Sequence, residues 1–86
     1  MKRILVCGAG GFIGTHLVRS LRAQGHYVIG ADLKFPEFSI TDANEFYQVD
    51  LRNQRSVTRL FKKDIDEVYQ LAADMGGCGL YLFRRK

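Results

Sequence analysis

Apolar residues in this chain fall into short continuous runs separated by longer stretches with helical spacing. Ile4-Leu5-Val6-Cys7 is one such run, fit for a parallel strand buried on both faces. After it, Ile13, Leu17, Val18 and Leu21 recur at helical spacing, which predicts a helix over about 12–24 with those four residues on its buried face. Gln24-Gly25-His26 ends that helix, with Gly25 as a left-handed cap. Tyr27-Val28-Ile29-Gly30-Ala31 predicts a second strand ending at Asp32. Residues 33–44 contain the only proline, Pro36, show no period and read as a loop. Glu45-Phe46-Tyr47-Gln48-Val49 is a third strand. Asp50 to Asn53 offers cap residues for a helix over about 53–63, whose buried face is Val57, Leu60 and Phe61. Glu67-Val68-Tyr69-Gln70-Leu71 is a fourth strand.

Strands alternating with helices argue an α/β fold: a parallel sheet with helices on both faces. Right-handed crossovers order the strands 3-2-1-4, a Rossmann-type sheet truncated at four strands. The fourth strand is then a bare edge beside apolar surface, which favours a homo-oligomer paired through it. Leu80-Tyr81-Leu82-Phe83 offers another cover, as a short extra strand or dimer contact.

Gly8-Ala9-Gly10-Gly11-Phe12-Ile13-Gly14 stands between the first strand and the first helix, and that order makes a dinucleotide the leading ligand. From Gly8 the glycines read G-x-x-G-x-x-G, with Gly10 an additional one. Gly8 lets the chain turn sharply off the strand. Gly11 lets backbone approach a diphosphate with no Cβ in the way, and Gly14 lets the helix pack closely on the sheet. The N–H groups of the first helical turn, at Phe12 and Ile13, then face the phosphates. The alternative is a tight strand-to-helix turn without a ligand.

Asp32 ends the second strand 18 residues after Gly14, where a carboxylate accepts from the adenosine ribose hydroxyls and repels a 2′-phosphate. That favours NAD over NADP. A turn or helix-cap aspartate is the plainer reading. Lys34 is placed to reach a phosphate or ribose, or is a surface lysine. Asp50 lies on the same carboxyl rim, suited to accept from an adenine amino group while Leu51 covers the ring; capping the next helix is its other reading. Leu71-Ala72-Ala73 closes the fourth strand beside the glycine turn. Small side chains there let backbone lie against the diphosphate and inner ribose, or simply fill the core.

Composition narrows the picture. At 86 residues the chain is one small domain with a thin core, and 47% hydrophobic residues is the content of a globular protein. No apolar run approaches a membrane span, and Met1-Lys2-Arg3 leads into a helix pattern rather than a signal-peptide cleavage site. The formal charge is +4, but Arg84, Arg85 and Lys86 supply three of the positive charges. Arg52, Arg55, Arg59, Lys62 and Lys63 concentrate at the second helix and read as a solvated outer face rather than a nucleic-acid stripe. Cys7 and Cys78 make no metal or redox motif and read as free thiols of a reducing, cytoplasmic protein.

Together Gly8-x-x-Gly11-Phe12-Ile13-Gly14, Asp32, Asp50-Leu51-Arg52 and Leu71-Ala72-Ala73 resemble the extended short-chain dehydrogenase/reductase superfamily. Its NAD-dependent nucleotide-sugar epimerases and dehydratases are the nearest match. The run from Val68 to Gly77, with Ala73-Asp74-Met75-Gly76-Gly77, is similar to one subgroup of those epimerases. The resemblance covers about residues 3–77 and implies the N-terminal part of an NAD-binding domain over 1–77, with 78–86 a divergent basic tail.

The resemblance also implies tightly bound NAD, transient oxidation of a sugar carbon, and a Met75-Gly76-Gly77 loop near a nucleotide sugar; a flexible strand end is the other reading of that loop. A Ser/Thr and a Tyr-x-x-x-Lys pair are implied as well. The only late tyrosine reads Tyr81-x-x-x-Arg85, and arginine does not replace lysine as a titrating partner, so no catalytic residue is assigned here. The family pattern departs at Cys78, which suggests a truncated or frame-shifted gene. The leading expectation is the NAD-binding portion of a nucleotide-sugar epimerase, inactive as an isolated chain. The alternatives are a stand-alone dinucleotide-binding module and a non-catalytic homodimeric relic.

Overall fold

The elements are β1 (Arg3–Cys7), α1 (Phe12–Ala23), β2 (Tyr27–Asp32), β3 (Glu45–Gln48), α2 (Gln54–Phe61) and β4 (Glu67–Gln70). A computed structural model describes residues 1–36 and 40–72 of the chain. The four strands form one parallel sheet in the order β3-β2-β1-β4, as the crossover rule requires. Cys7 at the end of β1 stands between Ala31 of β2 and Gln70 of β4. The carboxyl ends of the three strands therefore meet where the glycine turn leaves β1.

The continuous apolar run of β1 divides its side chains between two cores. Ile4 and Val6 join Ala9, Val28, Val18 and Leu21 on the α1 face. Leu5 and Cys7 join Ile29, Ala31, Leu51, Val57, Leu60 and Ile65 on the α2 face. Alternation along a strand requires this division, and it puts one helix on each face of the sheet.

α1 ends as its sequence dictates. Gly25 has φ +89°, its N–H donates to Arg22 at 3.0 Å, and His26 N–H donates to Leu21 at 3.1 Å. This is a glycine-dependent C-cap that satisfies two terminal carbonyls. One assignment on α1 is corrected: Ile13 is 67% exposed, and the buried stripe runs through Gly14, Val18 and Leu21, with Leu17 half-buried. The helix approaches the glycine turn so closely at position 14 that its sheet-facing line passes through a glycine, which turns Ile13 outward.

Phe35, Asp42 and Asn44 tie the loop after β2 to the rest of the fold. Phe35 stacks on Phe46 with ring centroids 4.9 Å apart. Asn44 exchanges hydrogen bonds with Val28, each 2.8 Å. Asp42 accepts from Arg19 at 2.9 Å and its carbonyl accepts from Arg22. Among the described residues β4 pairs on one side alone, with β1, and Tyr69 and Leu71 are exposed.

Candidate functional site

The glycine turn is built by backbone contacts that exclude side chains. Gly8 has φ +88°, and a Cβ on it would stand 2.8 Å from Ala72 N. Its N–H and that of Ala9 both donate to Ala31 O, at 2.8 and 3.2 Å, which hooks the turn onto the end of β2. A Cβ on Gly14 would lie 2.0 Å from Gly8 O. Gly11 differs: a Cβ there would meet only Gly8 O, at 3.6 Å, so the protein itself does not demand a glycine.

Gly11 is the N-cap of α1 and supplies no side-chain cap, and the first turn has no acidic residue. The N–H groups of Phe12 and Ile13 have no acceptor among the described residues. Phe12 and Ile13 are 80% and 67% exposed. By contrast α2 is capped in the ordinary way, Asn53 accepting from Ser56 N–H at 3.1 Å.

Asp32 is held on both oxygens. Its Oδ2 accepts from Gly10 N–H at 2.9 Å and its Oδ1 from Leu33 N–H at 2.6 Å. The carboxylate thus lies against the glycine turn, half-exposed at the rim, and caps no helix. Lys34 is exposed, but its carbonyl crosses the turn: a Cβ on Gly10 would stand 2.0 Å from Lys34 O.

Asp50 also lies on the carboxyl rim. The Arg52 guanidinium beside it, bonded at 3.1 Å from each of two nitrogens, holds its carboxyl below the ordinary value, and Arg52 N–H adds a bond at 2.9 Å. The alternative reading of Asp50 as the helix cap is corrected, since Asn53, closer to α2, has the cap geometry. Leu51 is 5% exposed and packs in the α2-side core. Leu71 N–H donates to Cys7 O at 2.8 Å, and Ala72 backbone lies against Gly8. Burial, with Asp32 nearby, pushes the Cys7 thiol up to about 12. Ala73, Met75, Gly76, Gly77, Cys78 and the 80–83 run lie outside the described residues.

The structure therefore brings Gly8, Gly11, Phe12, Ile13, Gly14, Asp32, Leu71 and Ala72 to the carboxyl rim around one turn. Sequence reasoning counted Gly10 without giving it a role. It also missed Gly30, where a Cβ would stand 2.9 Å from Ala9 Cβ and 3.0 Å from the Phe46 ring. An unassigned glycine inside a strand was the available signal, since it marks close approach of another chain segment.

The family model for the NAD dependent epimerase/dehydratase family matches residues 4–84. GDP-mannose 3,5-epimerase 1 of Oryza sativa subsp. indica is 46% identical over 79 residues, covering 90% of this chain and 21% of the relative. The Arabidopsis thaliana GDP-mannose 3,5-epimerase is 44% identical over the same length, with the same two coverages. These are the epimerase subgroup that the run from Val68 to Gly77 resembles. Among solved structures, the Thermus thermophilus UDP-glucose 4-epimerase complex with NAD has a TM-score of 0.71 and 36% identity, over 84% of this chain and 24% of that one. The Thermotoga maritima UDP-glucose 4-epimerase with UDP-glucose has a TM-score of 0.74 and 32% identity, over 84% of this chain and 24% of that one. The chain spans about a fifth of the length of the curated GDP-mannose relatives it matches. This chain belongs to the NAD dependent epimerase/dehydratase family.

Proposed function

We propose that these residues form the adenosine and diphosphate half of an NAD site, serving a nucleotide-sugar epimerase. The observation that carries the reading is the junction of β1 and α1. There an open Gly11 position and the acceptor-free N–H groups of Phe12 and Ile13 lie on the same turn that Asp32 grips through Gly10. The residues fit the cofactor: a Cβ-free approach for a diphosphate, a positive helix end, and a carboxylate at the rim for ribose hydroxyls. The solved Thermus thermophilus relative in complex with NAD supports the same ligand.

In this reading Gly11 admits the diphosphate, and the N–H groups at the start of α1 bind it. Asp32 accepts from the adenosine ribose and disfavours a 2′-phosphate. Asp50 accepts from the adenine amino group, and Leu51, packed in the α2-side core, backs that position from within rather than offering an open face to the ring. Lys34 lies at the outer rim, Leu71 and Ala72 line the inner side, and Ala73 is assigned to the cofactor with them. Bound NAD supplies reversible hydride acceptance for epimerisation at a sugar carbon. Met75, Gly76 and Gly77 are assigned to the nucleotide sugar, as the named substrates of the relatives suggest. No Tyr-x-x-x-Lys pair occurs in the 86 residues, so the chain by itself binds cofactor without turning over a sugar. Residues 1–77 are the cofactor-binding part and 78–86 the tail. Self-association through the β4 edge and a cytoplasmic setting, which suits the free buried thiol of Cys7, complete the proposal.

Calorimetric titration of the chain with NAD and NADP, beside the Asp32→Ala variant, tests it. NAD binding that exceeds NADP binding and weakens about tenfold or more without Asp32 is expected. Absence of heat at ~1 mM NAD, where weak sites still register, overturns the reading.

A further inference from the structure

Gly10 stands where the turn after β1 and the segment after β2 touch backbone to backbone. Its N–H donates to Asp32 Oδ2 at 2.9 Å, and a Cβ on it would stand 2.0 Å from Lys34 O and 3.1 Å from Asp32 Oδ2. That separation from Lys34 O is far inside van der Waals contact with backbone, so it cannot be relieved by turning a side chain. The other carboxylate oxygen is fixed by Leu33 N–H at 2.6 Å. Gln48 Nε2 donates to Leu33 O at 3.1 Å, which anchors the same segment from β3.

We propose that Gly10 is a positioning residue for recognition of the adenosine ribose. Its missing side chain lets the Leu33-Lys34 backbone close over the glycine turn, and its N–H fixes the rotation of the Asp32 carboxylate. This rests on the NAD reading above and deepens it. A carboxylate offers about four lone-pair directions. Two are taken by Gly10 and Leu33, and the remainder accept the ribose diol. A side chain at position 10 drives Lys34 and Leu33 outward, releases Asp32 from both amides, and lets the carboxylate turn away from a 2′-phosphate. Gly10 thereby governs selectivity, whereas Gly11, whose Cβ position is open, governs only the approach of the diphosphate.

Two measurements test this. The first needs no ligand: amide hydrogen exchange by NMR in the wild-type chain and Asp32→Ala. Protection at Gly10 and Leu33 in the wild type, lost at both in Asp32→Ala while Val6 and Ile29 stay protected, is expected. A Gly10 amide that exchanges freely in the wild type, or is unaffected by Asp32→Ala, overturns the latch. The second compares ADP-ribose with its 2′-phosphate by calorimetry in the wild type, Gly10→Ala and Gly11→Ala. The wild type is expected to prefer ADP-ribose by about tenfold or more. Gly10→Ala should cut that ratio to about threefold or less, while Gly11→Ala weakens both ligands by the same factor and keeps the ratio. An unchanged ratio in Gly10→Ala overturns the proposal. If the wild type binds neither ligand, the NAD reading and the ribose role fall together, and the exchange result still decides whether the latch exists.

Discussion

Gly14 on α1 approaches Gly8 at the end of β1 so closely that a Cβ at position 14 would lie 2.0 Å from the Gly8 carbonyl oxygen and 2.9 Å from Ala9 Cα. The helix can reach the sheet at this point only without a side chain. Gly14→Val therefore forces α1 away from Ile4, Val6 and Val28 of the sheet, and is expected to cost about 2–3 kcal/mol. The urea midpoint should fall with little change in slope. A midpoint within experimental error of the wild type would show that the helix start is looser than this packing.

Asn53 ties the first turn of α2 through its bond to Ser56 N–H. Asn53→Ala should lower stability by about 1 kcal/mol, while Asn53→Asp should hold it near the wild-type value. Asp50→Ala leaves the cap in place and is expected to cost less than Asn53→Ala. Thermal unfolding of the three variants checks the order.

Cys7 lies fully inside the α2-side core, and burial holds its thiol pKa at about 12. In the unfolded chain a thiol ionises near ~8.5. The folded state keeps the proton that the unfolded state releases, so this group's contribution is intact below that range and is lost as pH rises from ~8.5 toward the folded value. Hydrogen bonding to Glu45 raises Tyr27 too and acts in the same direction. In a Cys78→Ser background, Cys7 should resist iodoacetamide at pH 8 until denaturant unfolds the chain. Rapid labelling of the folded protein would contradict its burial.

Glu45 gathers charge and hydroxyl groups on the α2 face of the sheet. It accepts from Tyr27 at 2.5 Å and from Tyr47, and Lys63 and Arg3 lie 3.5 and 4.0 Å from its oxygens. The two tyrosine hydrogen bonds, with Lys63 assisting, lower its pKa. A lowered folded value means a contribution fully present above the ordinary carboxylate range, ~4.3, and lost as pH falls through the folded value. Glu45→Gln should reduce stability at pH 7 and flatten the loss of stability between pH 5 and 3. An acid limb identical to the wild type would exclude Glu45 from the acid transition.

Much of the fold was legible because β1 and β2 are uninterrupted apolar runs. Such runs belong to parallel strands covered on both faces, and the crossover rule then leaves one strand order. The glycine turn was legible through its position between strand and helix. Ile13 was misplaced because helical periodicity registers apolar character and cannot register that the neighbouring glycine marks the line of contact. Asn53 was blurred with Asp50 because both residue types suit a cap, and only the backbone extended at Asn53, with φ −87° and ψ 111°, separates them. The Gly10–Asp32 contact was hidden because it joins residues 22 apart in sequence, and a fourth glycine in the turn carries no label for the segment that crosses it.

The measurement that tests the central claim most directly is an NMR map of backbone amide shifts as NAD is added. The account predicts saturable shifts at Gly8 to Gly14, at Asp32 to Lys34, and at Asp50 and Ala72, while the β3–α2 groove lined by Ser56, Arg59 and Lys63 stays unchanged. Shifts confined to that groove or scattered over the surface, with the glycine turn silent, would contradict it.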